Sequence, residues 1–147
     1  MSTRSLRRAV PRAPLTFPTL HVLCPHAQYM EILAKSREGG PGTTEYFRRL
    51  DARLKTCWDF MPVFRTLSAF VSNGTAKAFL HYHDAATGAD WWLAEKPGPF
   101  EFWASGLAAY QEPPKYRAFS LDEVFNLSAR LDLDWEPTEI RLINPNA

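Results

Sequence analysis

TAKAFLHYHDAATGADWWLAE, residues 75–95, is the stretch of this chain that decides its fold. Residues 75–84 largely follow the period of two that is typical of strands, and residues 89–95 form a second short, strand-like run with two adjacent tryptophans. Ala86-Thr87-Gly88 lies between the two runs and is a turn signal. We therefore predict two antiparallel strands joined by a tight turn.

Two further runs extend this pair into a meander. Residues 64–72 precede it across Asn73-Gly74, and Asn-Gly between strand-like runs is the strongest short-range hairpin signal. Residues 100–108 follow it across Pro97-Gly98-Pro99. Together the runs predict an antiparallel sheet of four strands.

Two helical patterns precede the sheet. Residues 25–38 and 43–58 repeat apolar side chains at helical spacing, and Gly39-Gly40 separates them. Thr43 or Thr44 is predicted to cap the second helix.

A third helix is predicted after the sheet. Ser120 and Glu123 form a capping box, from which the helix runs to about Arg130. A final strand near residues 131–135, with an extension towards residue 143 left open, completes the chain. The predicted fold class is α+β: an antiparallel meander of four to five strands, two N-terminal helices and one helix before the last strand.

The length of 147 residues suits one domain with one core. Residues 1–20 hold four arginines and three prolines but no acidic residue, so we predict a basic, flexible arm followed by a single α+β domain over 21–147. Apolar runs fall short of the roughly 20 residues that span a bilayer. We expect a protein that has no membrane segment.

The net charge of +1 hides an asymmetry, because residues 1–83 carry +7 and residues 84–147 carry −6. Basic residues that track a phosphate backbone give nucleic-acid binding. An alternative function is therefore a small DNA- or RNA-binding protein. The arginines that would carry it are Arg4, Arg7, Arg8, Arg12, Arg48, Arg49 and Arg53.

Motifs for common chemistry are absent from the sequence. There is no nucleophile-elbow motif and no phosphate-binding glycine loop. Cys24 and Cys57 have no zinc or redox spacing and are predicted to be buried or inert thiols. No catalytic residue and no cofactor is predicted, and we expect a protein that is not an enzyme.

Two histidines leave one chemical alternative open. His81 and His83 are two residues apart on a predicted strand and therefore share a face. A third ligand from elsewhere would complete a metal site and give a metal-dependent enzyme. A solvent-facing histidine pair is the simpler interpretation, and we predict no metal.

The tryptophans provide the predicted partner site. Trp91 and Trp92 are adjacent on a strand, so one faces the core and the other the opposite side. An exposed tryptophan is a good anchor for a protein partner. We predict a partner-binding surface formed by Trp91, Trp92, Glu95 and Trp103.

The C-terminal part of the chain resembles a known family over about residues 76–140. Its motifs match a Lys-x-Phe strand at Lys77, a Trp-Trp-x-x-Glu strand at 91–95, a Ser-Leu-x-Glu helix start at 120–123 and a Leu-Asp-Leu-x-Trp-x-Pro ending at 131–137. The family comprises small proteins of unknown function carried by plasmids, phages and integrative elements. Its Gly-Tyr before the helix is replaced here by Arg117-Ala118.

The resemblance implies an accessory protein of a mobile element in a bacterial cytoplasm. Combined with the aromatic surface, it favours a non-enzymatic protein that binds a protein partner, with a host-defence target of the anti-restriction or anti-CRISPR type as one candidate. Nucleic acid is the alternative partner.

Overall fold

The computed structural model describes residues 15–64, 75–98, 103–109, 115–126 and 128–141. The described part forms three helices and seven strands. The helices are α1 (Pro18–Leu23), α2 (His26–Phe60) and α3 (Leu121–Phe125). The strands are β1 (Thr75–Ala78), β2 (Leu80–Asp84), β3 (Ala89–Glu95), β4 (Trp103–Ala109), β5 (Lys115–Ser120), β6 (Ala129–Leu131) and β7 (Thr138–Arg141).

Five strands form an antiparallel sheet in the order β5-β4-β3-β2-β6. The first four follow one another as a meander, whereas β6 returns after α3 to pair with β2 at the edge. Strands β1 and β7 form a separate antiparallel pair. This confirms the α+β class, the antiparallel meander and a helix before the last strands.

One face of the sheet, which we call the inner face, forms the core with the helices. Leu80, Tyr82, Trp91 and Leu93 of β2 and β3 are buried there. The Tyr82 hydroxyl donates to the Leu23 carbonyl at 2.6 Å, which joins α1 to the sheet. Burial raises the pKa of the Tyr82 hydroxyl well above its ordinary value. The opposite face is called the outer face below.

Helix α2 is two helical segments joined at a kink. Gly40 has φ 76° and ψ −165°, a left-handed conformation that glycine adopts without strain. Pro41 follows in the first turn of the second segment, where its missing N–H costs nothing. The two predicted helices and their break are thus confirmed. The Thr44 hydroxyl lies 3.3 Å from the Ser36 carbonyl oxygen and 3.2 Å from that of Gly40 and donates to this end of the first segment, so Thr44 does not make the predicted cap of the second one.

The ordered core begins earlier in the chain than the predicted boundary at residue 21. Phe17 and Leu20 are almost fully buried in the core. The Leu20 amide donates to the Asp51 carboxylate at 2.7 Å, so α2 satisfies a free N–H at the start of α1. The arm predicted over residues 1–20 therefore includes core residues, and residues 1–14 lie outside the described part.

The third helix is shorter than predicted. Ser120 accepts a hydrogen bond from the Glu123 amide at 3.1 Å, which confirms the predicted cap, but the helix ends at Phe125. Residues 129 and 130, placed by the prediction at the helix end, form β6 together with residue 131, which was predicted to begin the final strand. Pairing with β2 overrides the helical spacing there.

A buried glutamine closes the edge of the sheet at β6. The Gln28 side-chain amide donates to the Leu131 carbonyl at 2.8 Å. The Leu131 backbone N–H in turn donates to the Gln28 side-chain oxygen at 2.7 Å. The side chain thus satisfies the backbone groups that an edge strand leaves open. Residues 132–135 are not a strand as predicted, because Asp132 makes a turn by accepting from the Asp134 amide; the open extension towards residue 143 contains β7 at Thr138–Arg141.

The run predicted as one strand over 75–84 is divided at Phe79 into β1, which pairs with β7, and β2, which belongs to the five-stranded sheet. Lys115–Ser120 forms β5, which its mixed charged and apolar sequence did not indicate. The hairpin predicted at Asn73-Gly74 lies outside the described residues.

The turn between β2 and β3 is organised by Asp84. Its carboxylate accepts from the Ala86 amide at 3.0 Å and from the hydroxyls of Thr87 and Ser128, both at 2.8 Å. Gly88 has φ 76° and completes the turn predicted at residues 86–88. The hydrogen bond from Ser128 is the main cause that lowers the pKa of Asp84; those from Thr87 and the turn amides add to it, against the effect of burial.

The lowered pKa of Asp84 predicts an acid-dependent loss of stability. Because the folded pKa lies below the unfolded value of about 3.9, the contribution of Asp84 is present above that pH and is lost as the pH falls through the folded pKa. Ser128→Ala is expected to lower the free energy of unfolding at neutral pH. Its difference from wild type should shrink towards pH 2.

Denaturant unfolding at a series of pH values measures this difference. Thr56→Ala is the matched control, because the Thr56 hydroxyl donates to the neutral carbonyl of Ala52. A difference for Ser128→Ala that stays constant with pH, as expected for the control, would contradict the role of Asp84.

Among the described residues, no helix is long and apolar enough to cross a membrane.

Candidate functional site

The register of β2 against its neighbours places polar side chains in two rows on the outer face. In the first row, Arg130 of β6, His83 of β2 and Asp90 of β3 lie opposite one another. In the second row, His81 lies opposite Trp92. These rows cross the centre and one edge of the sheet, on the side away from the helices.

His81 lies between two carboxylates. Its Nε2 is 2.8 Å from Asp90 Oδ1, and its Nδ1 is 3.0 Å from Asp132 Oδ2. A neutral imidazole carries one N–H, so both contacts are hydrogen bonds only when the ring is an imidazolium. The backbone also fixes this geometry, because the Asp132 amide donates to the His81 carbonyl at 2.8 Å.

Two tryptophans enclose the His81 ring. Trp92 stacks on it with centroids 5.1 Å apart and an interplanar angle of 13°, and Trp135 lies against it at 5.2 Å. The Trp135 indole N–H donates to the Ala78 carbonyl at 3.1 Å, which fixes this ring against β1. His81 is therefore held rigidly and is mostly shielded from water.

His83 has a more open environment. Its Nδ1 is 2.7 Å from Asp90 Oδ1, the same oxygen that His81 contacts, and its side chain is 49% exposed. It lines an open groove of about 380 Å³ together with His81, Ala85, Arg130, Leu131 and Asp132. Asp90 thus orients His83 while the rest of the ring faces the groove.

The geometry does not favour the alternative of a metal site at His81 and His83. Both ring nitrogens of His81 are engaged by carboxylates, so neither is available to a metal. In the described ranges, no group of three or more histidine, cysteine or carboxylate side chains has a metal-binding arrangement.

The predicted partner residues occupy different environments. Trp91 is fully buried on the inner face, and Trp92 is partly exposed on the outer face, which confirms that the pair divides between the two faces. Trp103 is 53% exposed. Since Trp103 and Leu107 are four residues apart on β4, and Leu107 lies opposite Trp92, both Trp92 and Trp103 belong to the outer face.

Glu95 is buried rather than part of a surface. Only 1% of it is exposed, and its carboxylate accepts a 2.5 Å hydrogen bond from the Ser105 hydroxyl. Ser105 also lies 3.0 Å from the Tyr116 hydroxyl. Burial is the main cause that raises the pKa of Tyr116 to about 12, and nearby Glu95 raises it further. Glu95 and Trp91 are therefore both buried, but on different faces: Trp91 lies on the inner face, and Glu95 lies beside Ser105 in a buried part of the outer face between Trp92 and Trp103.

The structure describes three of the seven arginines of the nucleic-acid alternative, all on α2, and two of them have acidic partners. Arg49 pairs with Glu45 at 3.2 Å, and Arg53 donates to the Leu133 carbonyl and lies 3.8 Å from Glu136. Arg48 is exposed on the same helix. Acidic partners thus offset part of this charge. The four N-terminal arginines, Arg4, Arg7, Arg8 and Arg12, lie outside the described residues.

Both cysteines are free and buried, as predicted. Burial raises the pKa of Cys24 to about 12, and it also raises the pKa of Cys57. A raised pKa leaves little thiolate at neutral pH, so neither thiol is activated as a nucleophile.

Sequence reasoning missed the carboxylate contacts of the two histidines. The contact between His83 and Asp90 could have been predicted from the turn that joins their strands. A turn over residues 85–88 pairs Asp84 with Ala89 and therefore His83 with Asp90. The contact with Asp132 had no such signal, because it depends on β6 returning to the far edge of β2.

No protein-family model, no curated protein and no solved structure matches this chain. The resemblance to small proteins of mobile elements, which rests on the motifs over residues 76–140, stays a prediction.

Proposed function

We propose that this protein acts by binding a protein partner through the outer face of its sheet, without catalysing a reaction. The observation that carries the proposal is the exposure of Trp103, at 53%, on the same face as the partly exposed Trp92. A large aromatic side chain left in water is a characteristic anchor of protein interfaces.

The surroundings of the two tryptophans have the composition of an interface. Charged and polar groups of Asp90, His83 and Arg130 lie to one side on the same face. Interfaces combine an apolar centre with such a polar rim. The rigid support of Trp92, which stacks on His81, favours binding because little side-chain entropy is lost.

The chemistry of the described residues favours binding over catalysis. The serine in the buried hydrogen-bonded group, Ser105, is inaccessible and pairs with Glu95 and Tyr116 rather than with a histidine. The cysteines are buried thiols with raised pKa values. A nucleophile activated by a neighbouring base is therefore not assembled among these groups.

The resemblance to mobile-element proteins supplies the proposed setting. We infer an accessory protein that works in the cytoplasm of a bacterial host and occupies a host protein. A defence complex of the restriction or CRISPR type is the proposed class of target.

A capture experiment tests the proposal. The full chain and its Trp103→Ala variant are used as baits in a host lysate, and retained proteins are quantified by mass spectrometry. We expect one partner to be depleted about tenfold or more with Trp103→Ala, as for an interface hot spot. Phe60→Ala is the matched control, because Phe60 is 77% exposed at the end of α2, on the helical layer.

The control also defines the contradicting result. A partner that is lost with Phe60→Ala but retained with Trp103→Ala would move the interface away from the outer face.

A further inference from the structure

An incomplete chain of hydrogen bonds crosses both rows of the outer face. The chain runs from Asp132 through His81 to Asp90 and on to His83. Carboxylate and imidazole alternate along it, and each contact measures between 2.7 and 3.0 Å. His83 is the last member, at the groove.

His81 shows an imidazole with both ring nitrogens in contact with carboxylates on this face. Both of its ring nitrogens contact a carboxylate, one from Asp90 and one from Asp132. His83 lies on the same face two residues later and has the Asp90 contact at Nδ1. Its Nε2 has no hydrogen-bond partner among the described residues, so the position that Asp132 fills for His81 is open for His83.

A second basic side chain, that of Arg130, contributes to the groove. It lies directly opposite His83 on β6 and lines the same groove. Its guanidinium is paired with Glu31, but both side chains are about half exposed. Exposed ion pairs contribute little free energy, so Arg130 can exchange Glu31 for another carboxylate at small cost.

We propose that the groove beside His83 and Arg130 binds a carboxylate of the protein partner, from an aspartate or glutamate side chain. The His83 imidazolium then donates from Nδ1 to Asp90 and from Nε2 to the incoming carboxylate. Arg130 donates to the second carboxylate oxygen through its planar fork. This inference deepens the proposed function and rests on it, since it names the chemistry of the partner.

A probe titration tests the inference without the partner. The full chain is titrated at constant ionic strength with aspartate blocked at both termini, and the histidine ring and arginine side-chain signals are followed by NMR. Blocked asparagine is the neutral probe, and inorganic phosphate is the probe for a phosphate ligand. Saturable shifts of His83 and Arg130 are expected with blocked aspartate and not with asparagine.

Substitutions in the groove are expected to change the affinity for blocked aspartate in opposite directions. His83→Gln and Arg130→Gln should each weaken the binding of blocked aspartate about tenfold, the loss expected for a charge-assisted hydrogen bond. Glu31→Gln should tighten it, because Glu31 no longer competes for Arg130. His26→Gln should leave it unchanged, since His26 is exposed at the start of α2 and does not line the groove.

Two results would overturn the inference. Equal shifts with blocked aspartate and asparagine, or none with either, would show that the groove does not recognise a carboxylate. Phosphate binding that is tighter than aspartate binding would assign the groove to a phosphate-bearing ligand instead. Neither result changes the capture experiment with Trp103→Ala, so failure of the inference is distinguishable from failure of the proposed function.

Discussion

Replacing Trp91 with alanine is expected to lower the free energy of unfolding by about 3–5 kcal/mol, the cost of truncating a large core side chain. Trp91 is fully buried on the inner face, where the helices pack. The neighbouring change, Trp92→Ala, should cost less than about 1.5 kcal/mol, because it removes a partly exposed ring and one stacking contact with His81.

Denaturant unfolding of the two variants measures the difference. Because the residues are adjacent and chemically identical, each serves as the control for the other. Equal destabilisation would mean that the outer face is as fully packed as the inner one, which would contradict its assignment as an interface.

Gly106→Ala is expected to destabilise the protein severely, by more than a typical single substitution, which costs about 1 kcal/mol. Gly106 lies beside a bulge in β3, where the register shifts between Leu93 and Glu95. A Cβ on Gly106 would lie 1.8 Å from the Trp92 carbonyl oxygen. That neighbour is backbone within the sheet, so relief requires moving β3 against β4.

Gly42→Ala is the matched control for this substitution. Gly42 lies within α2, and a Cβ there meets nothing within 4 Å. Alanine is favoured over glycine inside a helix by about 1 kcal/mol. Thermal unfolding should therefore show a lower midpoint for Gly106→Ala and a slightly higher one for Gly42→Ala. A folded Gly106→Ala protein of unchanged midpoint would mean that the bulge is not as tight as described.

The parts of the fold that the sequence predicted are those with local signals. Strand β3 was predicted with its observed bounds, because its short aromatic and apolar run is bounded by a turn on one side and Pro97 on the other. The break in α2 was predicted at Gly39-Gly40, and it lies at Gly40, where a positive φ interrupts the helix.

The parts that were missed depend on distant partners. The sequence pattern predicted a helix as far as about Arg130. Residues 129–131 are extended because they pair with β2, which lies more than 40 residues away in the sequence. Glu95 reads as a surface carboxylate on a strand end, yet Ser105 and the bulge place it inside.

The candidate site was partly visible in the sequence. The shared face of His81 and His83 and the division of Trp91 and Trp92 between the two faces follow from strand geometry alone. The carboxylate contacts of the histidines do not, since Asp132 is brought to His81 by the return of the chain after α3.

The central claim is that the outer face, with Trp103 as its anchor, is the interface. Hydroxyl-radical footprinting of the protein, free and in complex with its captured partner, tests this most directly. In the free protein, exposed Trp103 should oxidise much faster than buried Trp91.

On complex formation, the account predicts strong protection of Trp103 and an unchanged oxidation rate at Phe60, which is exposed at the end of α2. Protection of Phe60 with an unchanged rate at Trp103 would contradict it.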